Sequence, residues 1–175
     1  MKYTHLFIHI MVPVIAVIFC SCSSKSVTNN EIKNAYLAWF HATSTLTTVV
    51  NHTENDNSIE ETLENTSKTY TRYTKFDRSS QIVTVTHTFN GYQPSDFPEV
   101  TIKGSLVQKV DDSVYTMNGT LTYDGCRPSK LTFINVEIEE VSNDTNSSQL
   151  YPIDGSLVAD DRTLSCMELV RDIWK

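Results

Sequence analysis

The feature that most constrains the fold is a series of segments in which apolar and polar residues alternate, separated by short turn sequences. The first runs from Ile82 to Phe89, where one face carries valine, histidine and phenylalanine and the other carries threonines. Further segments of this kind lie at residues 99–110, 113–123, 130–141 and 151–159. Such alternation is typical of a β-strand with one buried face, so the sequence predicts an antiparallel sheet.

Three of these strands share the motif apolar-x-Gly-Ser/Thr-Leu, with the glycine at Gly104, Gly119 and Gly155. Each glycine falls on the face predicted to be buried. Glycine inside a strand marks a bend or a place where another element comes close. Either the sheet curls at these glycines so that a helix can lie against it, or the glycines only mark strand ends. In the next-to-last segment the alternation slips, which predicts a bulge near Ile134 and Asn135.

A helical pattern precedes the strands. Between residues 31 and 50, apolar residues recur at steps of three and four, which predicts an amphipathic helix. Asn29 or Asn30 is expected to cap its start, and threonines lower the helix propensity toward its end. Trp39 and Phe40 form its largest apolar surface. Core packing is the default interpretation of this pair, and contact with a ligand is the alternative.

The chain next to these segments gives less distinct patterns. Ser58 and Glu61 have the spacing of a helix-capping box, which predicts a short second helix to about Lys68. Residues 69–76 are rich in threonine and tyrosine and fit either helix or a first strand. Residues 163–174 also fit either structure, and a strand that runs into a short helical end is favoured.

The N-terminus has the features of an export signal. Lys2 supplies a positive charge, and residues 6–19 form an apolar run that Pro13 interrupts. This run has the length of a signal peptide and is short for a membrane-spanning helix. We therefore expect the protein to leave the cytoplasm.

Residues 19–22, Phe-Cys-Ser-Cys, resemble the lipobox of bacterial lipoproteins, in which a bulky apolar residue and a small residue precede a cysteine. The resemblance implies that Cys22 is lipidated with diacylglycerol on its thiol, that the chain is cut just before it, and that the new amino group receives a further acyl chain such as palmitate. Two or three acyl chains give stable membrane attachment. The alternative is an ordinary secretory signal, cleaved after Ser21 or Ser23, that leaves a soluble protein.

The order of elements also resembles uncharacterised surface lipoproteins of spirochaetes, in which a helical part precedes threonine-rich strands with NGTL-like and DGSL-like segments. Here those segments are residues 118–121 and 154–157. The resemblances imply a cell-envelope protein that Cys22 tethers to a bacterial membrane, with the outer membrane favoured, and that faces the periplasm or the cell exterior. They divide the chain into a signal peptide at residues 1–21, a polar tether at 22–30 and one domain at 31–175.

The charge of the chain limits which classes of partner it can bind, and its cysteines limit the possible disulfides. The chain has a net charge of -7 and its sequence contains no cluster of Lys and Arg, so we do not expect it to bind nucleic acid. After export and lipidation, Cys126 and Cys166 remain as a possible pair. They form either a disulfide, which would stabilise the fold by roughly 4 kcal/mol in an oxidising compartment, or two separate buried thiols.

The sequence contains no familiar catalytic or metal-binding motif. His41, His52 and His87 lie far apart, and no HxH or HExxH pattern indicates zinc. No GxSxG, phosphate-binding or dinucleotide-binding pattern is present. We therefore predict no enzyme activity, no metal and no cofactor.

Together these patterns predict an α+β domain in which an N-terminal helix, or two helices, packs on a curled antiparallel sheet of about five or six strands. The favoured function is non-enzymatic binding of another protein, or a structural role in the envelope. The alternative is a carrier of a lipid or another apolar ligand, held in a cavity between sheet and helix. The residues expected to line that cavity are Trp39, Phe40, Tyr115, Met117 and Phe133.

Overall fold

The computed structural model describes residues 26–111, 114–142 and 148–168. Within them the chain forms helix α1 (Asn29–Ala42), a short 3-10 turn (Thr43–Thr45) and nine strands. Each strand pairs with the next one along the chain in antiparallel orientation, so the strand order of the single sheet equals the sequence order. The strands are β1 (Leu46–Glu54), β2 (Ser58–Asn65), β3 (Tyr70–Asp77), β4 (Ile82–Tyr92), β5 (Thr101–Asp111), β6 (Val114–Asp124), β7 (Lys130–Ser142), β8 (Ser148–Ala159) and β9 (Arg162–Ser165).

The predicted fold class is wrong. The described chain is mostly one nine-stranded antiparallel sheet with a single short helix, and not an α+β domain with five or six strands. Two of the additional strands come from the regions where helix was predicted, the second half of residues 31–50 and the segment that begins at Ser58. These regions form β1 and β2.

Local chemistry explains why this region forms a hairpin. Val49, Val50 and the threonines around them are β-branched, and β-branched side chains favour extended backbone. Between the strands, the Asn55 Oδ1 atom accepts hydrogen bonds from the backbone N–H groups of Asn57 and Ser58, each at 2.9 Å. Asparagine stabilises turns in this way. The spacing of Ser58 and Glu61 therefore belongs to a turn and strand rather than to a helix cap.

The strands predicted from alternation are confirmed as β4 to β8. The segment at residues 69–76 is strand β3, and the segment at 163–174 begins as β9, followed by helical residues 166–168. The rest of that segment lies outside the described residues. The predicted bulge is also confirmed, because the β7–β8 register shifts after Ile134 and Asn135 has a positive φ of 47°.

Helix α1 begins with a capping box at Thr28, not at Asn29 or Asn30 as predicted. The Thr28 Oγ1 atom accepts from the Glu31 N–H at 3.3 Å, and the Glu31 carboxylate accepts from the Thr28 N–H at 2.7 Å. Each bond satisfies a backbone donor that the first helical turn leaves open. The helix therefore starts at Asn29, inside the range of residues 22–30 that was predicted as the tether.

One face of α1 packs against the middle of the sheet. The Tyr123 hydroxyl of β6 donates to the Ala35 carbonyl at 2.9 Å. The Tyr36 and Trp39 rings contact the Phe133 ring of β7, with centroids 6.2 and 6.0 Å apart. This contact buries one continuous core that contains most of the large apolar side chains.

The glycines of the repeated motif lie inside β5, β6 and β8, so the strand-end interpretation is wrong. Gly119 has a φ of 138°, and a Cβ atom at this position would overlap the Ser105 carbonyl oxygen of β5. Gly104 faces the Thr120 carbonyl of β6 in the same way. Adjacent strands thus approach too closely for any side chain, and only glycine fits.

Candidate functional site

A cavity of about 380 Å³ lies between the C-terminal end of α1 and strands β3, β4 and β5. We call it the helix–sheet cavity. Its volume falls at the lower end of the range for small-molecule sites. Its lining residues are Trp39, Phe40, Thr43, Arg72, Thr74, Val85, His87 and Gln108.

Strand register brings the polar residues of the cavity together. Side chains two apart in a strand share a face, which places Arg72 with Thr74 on β3. On β4 the same spacing places Val85 with His87. Arg72 pairs with His87 across β3 and β4, and Val85 pairs with Gln108 across β4 and β5. The sheet wall of the cavity is therefore a compact set of cross-strand neighbours.

Three nitrogens that belong to cavity-lining residues are buried and have no hydrogen-bond partner among the described residues. They are Trp39 Nε1, Arg72 Nε and His87 Nε2. The Trp39 side chain is 1% exposed and His87 is 4% exposed. Folded proteins pair nearly all buried polar groups, and each unpaired one costs about 1–3 kcal/mol. Three such atoms on residues that line one cavity make this cavity the candidate binding site.

The tautomer of His87 follows from its bond to Tyr70. The Tyr70 hydroxyl and His87 Nδ1 are 2.7 Å apart, and this nitrogen is the only acceptor for that hydroxyl among the described residues. Burial raises the pKa of Tyr70, so the hydroxyl keeps its proton. We assign the hydroxyl as the donor to Nδ1, because a buried O–H group needs an acceptor. The ring proton of neutral His87 is then on Nε2, which makes Nε2 a donor.

His87 is neutral at physiological pH. Burial lowers its pKa from 6.5 to about 4, the neighbouring Gln108 side chain opposes this shift without reaching hydrogen-bond geometry with Nε2, and the charge of Arg72 lowers the pKa further. A buried imidazole avoids its charged form because desolvation disfavours it. The ring therefore contributes a neutral N–H donor to the cavity wall.

Arg72 supplies the only permanent charge among the residues that line the cavity. No carboxylate in the described part of the chain forms an ion pair with it, whereas the nearby cations Lys75 and Arg78 pair with Glu60 and Glu54. The Arg72 guanidinium is thus a cation without a counter-ion beside a partly apolar cavity.

The structure places the residues that were predicted to line a ligand cavity in two different locations. Trp39 and Phe40 line the helix–sheet cavity. Met117 and Phe133 are fully buried in the core, and Tyr115 packs against that core. Cys22 lies outside the described residues.

Sequence reasoning missed Arg72 and Gln108 as cavity residues, and it considered His87 only as a possible metal ligand. Arg72 stands two residues after Tyr70, on a segment whose secondary structure the sequence left open. His87 lies on the predicted buried face of β4, where a polar residue in an apolar row was the available signal.

The other predicted chemical groups lie apart from the cavity. Cys126 and Cys166 are free cysteines, the first partly exposed and the second buried. Burial raises the pKa of both thiols, that of Cys166 to about 12. His41 Nδ1 lies 3.0 Å from Asp96 Oδ2 and His52 lies beside Glu61. Across the described residues, no group of three or more His, Cys, Asp or Glu side chains could hold a metal ion.

A second cavity of about 240 Å³ lies beside the first turns of α1. Its lining includes Glu31, Glu99 and Cys126. Within the described chain, none of the buried unpaired nitrogens belongs to this lining. The helix–sheet cavity is therefore the stronger candidate site.

In comparisons with known proteins, neither a family model nor a curated protein nor a solved structure matches this chain. Over the residues described, no helix combines the length and the apolar character needed to cross a membrane.

Proposed function

We propose that the protein is a lipid-anchored envelope protein that binds a small, largely apolar ligand in the helix–sheet cavity. Residues 19–22 support the anchor through their resemblance to a lipobox. The cavity supports the binding role, because its apolar surface comes from Trp39, Phe40 and Val85 while three buried nitrogens of its lining residues have no partner in the described part of the protein. The set of unpaired buried nitrogens is the observation that carries the proposal.

Binding without chemistry fits the state of the cavity's polar groups. A general base works best when its pKa lies near the working pH, and the pKa of His87 is about 4. The Nδ1 atom of this ring is already bonded to Tyr70. The Thr43 hydroxyl donates to the Phe40 carbonyl at 2.8 Å, so it is tied to the helix end. These groups are suited to holding a ligand rather than to transforming it.

Native mass spectrometry of the mature, membrane-extracted protein tests the proposal. We expect a mass in addition to the lipid modification, which is lost on denaturation. Val85→Trp fills the cavity from β4 and should remove that mass. Thr84→Trp is the matched control, since its side chain lies on the opposite face of the same strand, and it should keep the ligand. A wild-type protein that carries no ligand, and that no small apolar compound stabilises, contradicts the proposal.

A further inference from the structure

We propose that the ligand of the helix–sheet cavity is a small organic carboxylate, whose anionic group binds Arg72, Trp39 Nε1 and His87 Nε2. This inference rests on the proposed binding function and specifies the chemical class of ligand. It follows from the chemistry of the cavity wall, taken in three steps.

The unpaired groups of the cavity are all donors. An indole nitrogen and an arginine offer only N–H groups, and the Tyr70 bond leaves His87 with its proton on Nε2. Three donors without an acceptor among them match a ligand group that only accepts. An ionised carboxylate has two oxygens and no proton to donate, whereas an alcohol or a primary amide brings donors that would face these N–H groups.

The charge of the cavity matches one negative charge. Of the described residues that line it, Arg72 and His87 are the ionisable ones, and no carboxylate is among them. His87 is neutral, so the wall carries one positive charge. A carboxylate balances it and pairs with a guanidinium in a two-pronged geometry. A phosphate monoester would bring close to two negative charges against a single cation.

The remaining lining residues and the cavity volume determine the size and the apolar character of the rest of the ligand. Phe40, Val85 and the Trp39 ring form apolar walls around the donors. A volume of about 380 Å³ holds on the order of ten water-sized groups at roughly 30 Å³ each. A medium-chain or phenylalkyl acid fits this space, whereas a long acyl chain does not fit within it.

The test compares each acid with its neutral amide, which has nearly the same shape. Calorimetric titration of the mature lipoprotein uses 3-phenylpropanoate, octanoate and the two corresponding amides. We expect each acid to bind about tenfold to a hundredfold more tightly than its amide, the difference that a hydrogen bond to a charged group provides. Equal affinity of acid and amide contradicts the carboxylate proposal. It would still support the proposed function, because the cavity would bind apolar ligands. If no acid binds, the carboxylate proposal is also wrong. The proposed binding function is then tested separately, by whether native mass spectrometry detects a co-purified ligand.

Two substitutions in β3 test whether the charge of Arg72 causes the preference for acids. Arg72→Met should remove the preference for acids over amides, so that an acid and its amide bind this variant with similar affinity. Lys75→Met removes an equal charge from the same strand, but at a position of opposite parity and paired with Glu60, so it should keep the preference. A preference for acids that survives Arg72→Met, or disappears with Lys75→Met, contradicts the assignment. The acid and amide pair on the wild-type protein remains decisive if Arg72→Met does not fold.

Discussion

At the scale of single residues, His87 links the cavity to the stability of the fold. Its pKa is about 4 in the folded protein against 6.5 when unperturbed. Between these values the unfolded chain binds a proton that the folded chain does not. The free energy of unfolding therefore falls as the pH drops from about 6.5 to 4, by about 3 kcal/mol in total for this group.

Urea unfolding at several pH values checks this prediction. His87→Gln should show a shallower loss of stability toward acid than the wild type, because the variant has no group that must stay neutral. Identical pH dependence in the wild type and His87→Gln would show that burial does not shift the pKa of this ring.

At the scale of elements, the close approach of β5 and β6 makes Gly119 sensitive to substitution. In Gly119→Ala the new Cβ would meet the Ser105 carbonyl, with a φ of 138°. We expect a loss of about 3 kcal/mol, from unfavourable backbone conformation and overpacking together. Gly91→Ala separates the two effects, since φ is 80° there and the nearest atom to a Cβ is 3.9 Å away. It should cost about 1 kcal/mol in the same urea titration.

Elements with a local signal were predictable from the sequence. Alternation located β4 to β8, and the three- and four-residue steps located α1, because both patterns depend only on neighbouring residues. The hairpin of β1 and β2 was missed for a reason that is also local. Apolar steps that continued to Val50 and a capping-box spacing at Ser58 suggested helix there, whereas the β-branched run around Val49 and the Asn55 turn had the larger effect.

The cavity was predictable only in part. Trp39 and Phe40 stood out as the largest apolar surface of the helix, and they line the cavity. Arg72 enters it because β3 pairs with β4 in a register that sets it opposite His87. Register depends on turn lengths and on which face is buried. With β3 unassigned, the sequence provided no way to align these two residues.

At the scale of the whole molecule, the lipid anchor that we propose at Cys22 would decide where the cavity is presented. We expect Cys22→Ser to lose incorporation of a palmitate label and to leave the membrane fraction. Cys20→Ser is the matched control, because it removes the neighbouring thiol within the predicted signal peptide and should keep both properties. A Cys22→Ser protein that stays labelled and membrane-bound would rule out this cysteine as the anchor.

The pairing of every strand with its sequence neighbour has a consequence for the order of assembly. Hairpins can close one after another as the chain emerges, because their contacts are local. Helix α1 is the exception, since Ala35 finds its partner Tyr123 at a sequence separation of 88. The helix is made first, yet its apolar face stays in water until β6 and β7 have formed. The helix–sheet cavity has both of its walls only after the helix docks, so a ligand bound there, as we propose, would stabilise chains with a docked helix over chains without one.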